Sequence, residues 1–352
     1  MKFGTRAVHA GLAPDPTYGS VIPPIHATST YAQPSPGEYV EDFDYSRAGN
    51  PTRAALEKAL GELEGGLGTA FSSGMAATHA LLTAATSAGD HVILPGDLYG
   101  GTYRLVDKIL SRFGLEYDLV DQSEPEAVAR AVRDTTRVIW VETPTNPLLN
   151  TVDIEAIVAA KRGAIVAVDN TFATPAIQRP LELGADAVMH STTKYLGGHS
   201  DVIGGALVVA DEALHREVRF VQMSVGAVPG PFDCFLVHRG LRTLHLRVAA
   251  HTENARAVVE MLREEGVEDV RWPGFGGMVS FRHPRAVEIA SSTEIFTLAE
   301  SLGGVESLIE VPQAMTHQSV EGSAAAVPPD LVRLSCGVEA AEDLVEDLRR
   351  RL

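Results

Sequence analysis

Lys194 stands in the run His190-Ser191-Thr192-Thr193-Lys194-Tyr195-Leu196-Gly197-Gly198-His199, with hydroxyl side chains before it and a glycine-rich turn after it. A lysine among small and apolar groups loses hydration, which lowers its pKa and leaves a neutral amine able to condense with an aldehyde to an imine. Upstream, Ala164-Ile165-Val166-Ala167-Val168 reads as a buried strand that delivers Asp169 at its carboxyl end, where ligands collect in open α/β sheets. A carboxylate there can pair with a cationic ring nitrogen. The ordinary alternatives are a solvated lysine and an Asp that caps a helix.

Other residues extend the same chemistry. Ser72-Ser73-Gly74-Met75-Ala76-Ala77 lies between a short apolar strand and a helix through Leu81 and Leu82. The first amides of such a helix are unpaired, so a phosphate placed there gains hydrogen bonds and a favourable dipole; a simple cap is the plainer reading. Ser191 and Thr193 alternate along an extended segment and can offer hydroxyls to the same anion. Asp44-Tyr45-Ser46-Arg47 presents a phenol and a planar guanidinium suited to phosphate or carboxylate, or else idle on a solvated arm. Tyr99, in Asp97-Leu98-Tyr99-Gly100-Gly101-Thr102, follows a strand, and its ring can stack on a flat ligand or simply pack. Thr143-Pro144-Thr145-Asn146-Pro147 ends another strand and presents Asn146 on a proline-bracketed loop. Arg333 sits mid-strand among Leu331, Val332 and Leu334, so it needs a partner: a structural carboxylate or a substrate's.

These residues need a scaffold, and the chain can supply one. Its 352 residues suggest roughly two domains, and with 45% hydrophobic residues it folds without staples. A net charge of −17 with no basic block argues against nucleic acid and anionic membranes as partners. Cys234 and Cys336 lie far apart in apolar surroundings and read as reduced core thiols of a cytoplasmic protein. The first residues form no apolar leader, and no stretch is long enough to span a bilayer. No metal site is expected.

Residues 1–50, with Pro14, Pro16, Pro23, Pro24, Pro34 and Pro36, read as an extended arm laid on a neighbouring subunit. Asn50-Pro51 starts a helix with Leu56, Leu60 and Leu63 on one face and Gly65-Gly66 as its stop. Up to about residue 210, strand-like runs at 91–95, 138–142, 165–169, 187–190 and 205–209 alternate with helical ones, which argues for a mostly parallel sheet flanked by helices. Beyond Gly230-Pro231-Phe232-Asp233, a long helical stretch leads to an α+β region with strands at 277–281 and 331–335 and a final helix carrying Leu344, Leu348 and Leu352. The expected units are the arm 1–50, a large domain 51–232 and a C-terminal domain 233–352.

Taken in order, these motifs resemble the cystathionine γ-synthase and γ-lyase family, the Cys/Met-metabolism branch of fold-type I pyridoxal phosphate enzymes. The resemblance runs through Tyr45-Ser46-Arg47-Ala48-Gly49-Asn50-Pro51-Thr52-Arg53, Ser73-Gly74-Met75, Tyr99-Gly100-Gly101, Asp169-Asn170, the lysine run, 226–233, Glu300 to Ser307, and Arg333-Leu334-Ser335-Cys336-Gly337. It implies that Lys194 holds pyridoxal phosphate and moves protons, and that Asp169 keeps the pyridine nitrogen protonated. It implies that Gly74, Met75, Ser191 and Thr193 bind the phosphate, while Tyr45 and Arg47 reach the phosphate of a neighbouring subunit, in at least a dimer and usually a tetramer. Tyr99 would stack on the ring and assist proton transfer; Asn146, Arg333, Ser301 and Glu300 would meet the substrate.

The expected reaction is γ-elimination of cystathionine to cysteine, 2-oxobutyrate and ammonia. Cystathionine γ-synthase, which replaces the acyl group of an activated homoserine with cysteine, is the near alternative, since both types share an acidic residue at positions such as Asp44 and Glu300. Gly101 stands where methionine γ-lyases carry a cysteine and argues against that activity. The stretch 266–276 looks shortened relative to the family, either as a trimmed surface loop or as an altered entrance to the site. A non-catalytic scaffold is disfavoured, because it needs no joint set of Lys194, Asp169, Tyr99 and Arg333.

Overall fold

Strands and helices alternate from Leu67 to Val209, and the strands assemble into one seven-stranded sheet. The computed structural model describes residues 1–318 and 326–352. The strands are β1 (Leu67–Phe71), β2 (His91–Pro95), β3 (Glu116–Val120), β4 (Thr136–Glu142), β5 (Ile165–Asp169), β6 (Ala187–His190) and β7 (Gly205–Val209), in the order β1-β7-β6-β5-β4-β2-β3. Only β7 runs against its neighbours; the other pairings are parallel. Helices cover the faces, so β2 and β7 are buried along their whole length and carry near-continuous apolar runs.

The edge strand β3 is absent from the sequence expectation. Glu116 and Asp118 alternate with Tyr117 and Leu119 there, and Glu116 is exposed. Charge on an edge strand blocks further pairing and hides the strand from any search for apolar runs.

The expected helix after Asn50 spans Pro51–Glu64. Asn50 Oδ1 accepts the amides of Thr52 and Arg53, and Gly65 closes the helix at φ 91°. Residues 3–9 depart from the extended reading of 1–50. They form a helix whose Ala7 is buried in the same apolar cluster as Leu56 and Leu60, because Phe3 and Ala7 recur at helical spacing. From Pro14 to Gly49 the described chain has only isolated bridges, Thr30 with Tyr45 and Val40 with Phe43.

The long helical stretch divides into Pro231–Leu241 and Leu244–Glu264. It leads to a second sheet, in the order β8-β11-β10-β9, of β8 (Met278–Arg282), β9 (Thr297–Leu298), β10 (Leu308–Glu310) and β11 (Leu331–Ser335). Val279, Phe281, Ile309, Val332 and Leu334 pack against Val258, Leu262, Leu344 and Leu348. β9 and β10 are too short to show a period of two, and the sequence pattern misses both. Cys234 and Cys336 are free and buried. Among the described residues no helix is long and apolar enough to cross a membrane.

Candidate active site

Parallel strands release their chains at one edge of the sheet, and neighbouring strands therefore set their following residues side by side. Along β6, β5, β4 and β2 this places the Lys194 turn, Asp169, the Glu142–Asn146 segment and the Tyr99 turn next to one another. The result is a cavity of about 320 Å³. Gly74, Met75, Tyr99, Asn146, Asp169, Ser191, Thr193 and Lys194 line it from this side, and Glu300 and Ser301, in the loop after Leu298, line it from the other with Arg333 of the second sheet.

Lys194 Nζ donates to Ser301 Oγ at 2.9 Å. Burial lowers its pKa to about 8, and the nearby Arg333 charge adds to that, while Glu310 and Glu300 pull the other way. Ser301 holds its place with φ +100°, a strained backbone for a residue with a side chain. Next to the lysine, Tyr195 is fully enclosed. Its phenol oxygen accepts the Gly277 amide at 3.0 Å, its carbonyl accepts Arg247 Nη1 at 2.7 Å, and its ring meets His251 edge to face at 5.1 Å. Gly303, at φ +75°, has no room for a Cβ, which would stand 2.7 Å from the Tyr195 nitrogen.

Asp169 Oδ1 accepts the Thr171 amide at 3.0 Å. Burial pushes its carboxyl above the ordinary range, against the pull of Thr171 and of His190. A cation placed beside it would restore the carboxylate. The Thr171 hydroxyl accepts the Ser191 amide at 2.9 Å, which joins the ends of β5 and β6. Ser73 caps the helix Gly74–Ala85 by accepting the Ala76 amide at 3.0 Å, and the amides of Gly74 and Met75 have no acceptor within that helix. A Cβ on Gly74 would lie 3.0 Å from Ser191 Cβ, so glycine lets the helix start approach the Ser191–Lys194 turn closely. Thr193 lines the cavity, but its hydroxyl also exchanges bonds with Gly204, donating to the carbonyl at 3.2 Å and accepting the amide at 3.0 Å.

Two acidic residues are absent from the sequence expectation. Glu142, at the end of β4 and paired in register with Asp169, accepts the Tyr99 amide at Oε2 (2.9 Å) and the Asn146 amide at Oε1 (2.7 Å). One carboxyl thus ties two site loops together. Burial and then the Asp169 charge push its pKa well up. Glu310 forms an ion pair with Arg333 at 2.9 Å, with both side chains almost wholly buried. Arg333 also donates to Asn146 Oδ1 at 2.8 Å and to the Ser301 carbonyl at 3.0 Å. Its structural partner is therefore Glu310. An isolated Glu within Leu308-Ile309-Glu310-Val311 was the available signal.

Tyr45 and Arg47 are not brought into this cavity. Tyr45 is 47% exposed, and Arg47 stacks over its ring at 5.7 Å while donating to the Met223 carbonyl.

The residues present fit pyridoxal phosphate: an amine of lowered pKa, a buried acid in want of a cation, open helix-start amides against a glycine, and a tyrosine ring on one cavity. The fold and the cavity define a fold-type I pyridoxal phosphate enzyme. More narrowly, the chain belongs to the Cys/Met metabolism PLP-dependent enzymes, whose family model matches residues 4–352. It is 53% identical over 372 residues to a cystathionine gamma-synthase of Mycobacterium tuberculosis, covering 99% of this chain and 96% of that one. It is 46% identical to a cystathionine gamma-lyase of Bacillus subtilis, covering 100% and 99%. The crystal structure of metB from Corynebacterium glutamicum superposes with a TM-score of 0.99 at 47% identity, covering 100% and 98%.

Proposed function

We propose that the chain is a cystathionine γ-synthase, which replaces the γ-acyl group of an activated homoserine with the sulfur of cysteine. What carries this over the lyase expected from the sequence is the 53% identity to the mycobacterial synthase across nearly the whole chain. γ-Elimination of cystathionine is the second reading, favoured by the 46% identical lyase and by the same cavity. Both reactions begin with the same proton movements, so one set of residues serves either.

Bound pyridoxal phosphate supplies an electron sink for negative charge developing beside the substrate's amino group. Lys194 is its attachment point, since the amine is neutral above a pH of about 8. Lys194 Nζ would take the proton from substrate Cα and carry protons along the neighbouring carbons, with the Ser301 hydroxyl as its partner at 2.9 Å. Asp169 holds the pyridine nitrogen in its protonated form. The Tyr99 ring lines the cavity and would stack on the cofactor ring and assist proton transfer, with burial raising the pKa of its phenol. Gly74, Met75, Ser191 and Thr193 hold the phosphate, Asn146 and Arg333 orient the substrate carboxylate, and Glu300 and Ser301 meet the substrate from the same cavity.

Residues 51–232 are read as the cofactor unit and 233–352 as the unit that closes over the substrate. Residues 1–50 are read as an arm whose Tyr45 and Arg47 complete the phosphate site of a neighbouring subunit, in a tetramer built of dimers. Their position outside the chain's own cavity supports this.

The test is a product assay on the purified enzyme loaded with cofactor. An acylated homoserine plus cysteine should yield cystathionine faster than cystathionine alone yields 2-oxobutyrate. The reverse ratio selects the lyase.

A further inference from the structure

Glu310 and Arg333 lie opposite each other in the antiparallel pairing of β10 with β11, and their side chains are 1% and 3% exposed. The pair belongs to a closed ring. Arg333 Nη1 donates to Asn146 Oδ1 at 2.8 Å, and Arg333 Nη2 meets Glu310 Oε2 at 2.9 Å. Glu310 Oε1 accepts the Thr316 hydroxyl at 3.0 Å. That hydroxyl lies 2.9 Å from His317 Nδ1, and His317 Nε2 lies 3.2 Å from the Asn146 carbonyl. Asn146, Thr316 and Arg333 all line the cavity, as does a second acid, Glu300.

Resting on the reading of Arg333 as the receptor of the substrate carboxylate, we propose that Glu310 is an internal counter-ion. It competes with that carboxylate for Arg333 and loosens the grip on substrate and product alike. An incoming carboxylate meets a guanidinium whose charge is already balanced, and it must settle beside a like charge in a water-poor pocket. A grip felt equally by bound substrate and product adds nothing to turnover, so a weaker one favours release. The opposing role, in which Glu310 only props Arg333 in position, has the opposite sign: removal of the prop would weaken carboxylate binding.

The experiment measures the Kd of butyrate, a carboxylate without an amine, on holoenzymes by calorimetry. Glu310→Gln keeps the volume and one acceptor, and it should tighten butyrate binding by about tenfold. It should also enlarge the rise in Tm that butyrate produces, since the ligand then supplies the missing negative charge. Should the Gln variant not fold, Glu310→Asp keeps the charge but draws it back from Arg333, and it should tighten binding by a smaller factor. Unchanged or weaker binding in the variant that folds overturns the counter-ion role. Arg333→Gln separates the two layers of the argument. If it leaves wild-type butyrate affinity intact, the reading of Arg333 fails and takes the proposal with it. If it abolishes binding while Glu310→Gln weakens it, only the proposal fails.

Discussion

On the side of the seven-stranded sheet, Asp169 ends a parallel strand and Lys194 and Tyr99 follow the ends of two others, and their positions come from the order in which the chain lays down those strands. On the other side, Arg333 lies in the middle of an antiparallel strand and is held by Glu310 from the strand beside it. The first wall is a row of strand ends and the turns that follow them, and Arg333 on the second stands on a packed sheet face. Loop ends can be aimed one at a time at a reacting atom; a side chain inside a sheet is fixed by register and can only offer a preset charge. On the proposed reading, Lys194 of the first wall moves protons, while Arg333 of the second, bonded to Asn146 of the first, recognises the carboxylate.

That division has measurable consequences. Lys194→Ala, on the first wall, should cut turnover by about 10⁴-fold and abolish the cofactor adduct that borohydride reduction before denaturing filtration traps in the wild type. Retained covalent cofactor in the variant would break the comparison at its root. Glu142→Gln leaves one acceptor for two amides, so either the Tyr99 or the Asn146 loop shifts, and kcat/KM should fall by roughly 100-fold. Circular dichroism and Tm would separate that loss from unfolding. Arg333→Lys replaces a planar fork with a point charge, and KM should rise roughly tenfold while kcat changes less. A fall confined to kcat would place Arg333 with the first wall.

The mildest perturbation is pH. Because burial lowers the Lys194 pKa to about 8, the protonated amine predominates below that pH and the neutral amine above it. Capture of pyridoxal phosphate by the apo-enzyme, followed by absorbance, should therefore accelerate through a pH of about 8 and then level off. A midpoint near 10, the range of an ordinary lysine, would show the amine to be solvated.

The first wall was legible because each part is local: a buried apolar run, then a turn, then a residue of distinctive chemistry. Asn50-Pro51 and Gly65 likewise announce a helix within a few positions. The second wall was legible only in part. Arg333 among apolar neighbours asked for a partner, but which acid answers depends on the register of β10, a strand of three residues. Glu142 was hidden differently, since it ends a strand like any polar residue, and its work is done on amides that only the folded sheet brings within reach. β3 and the helix at 3–9 were missed because one is a polar edge and the other carries few apolar residues.

The enclosure of Tyr195 makes the reactive amine a pointer whose pivot belongs to the opposite half of the molecule. Its anchors, Arg247 and Gly277, lie on the long helix and at the approach to β8. The residue next to Lys194 is therefore tied to the part of the chain that carries the smaller sheet, as well as to the sheet from which the lysine emerges.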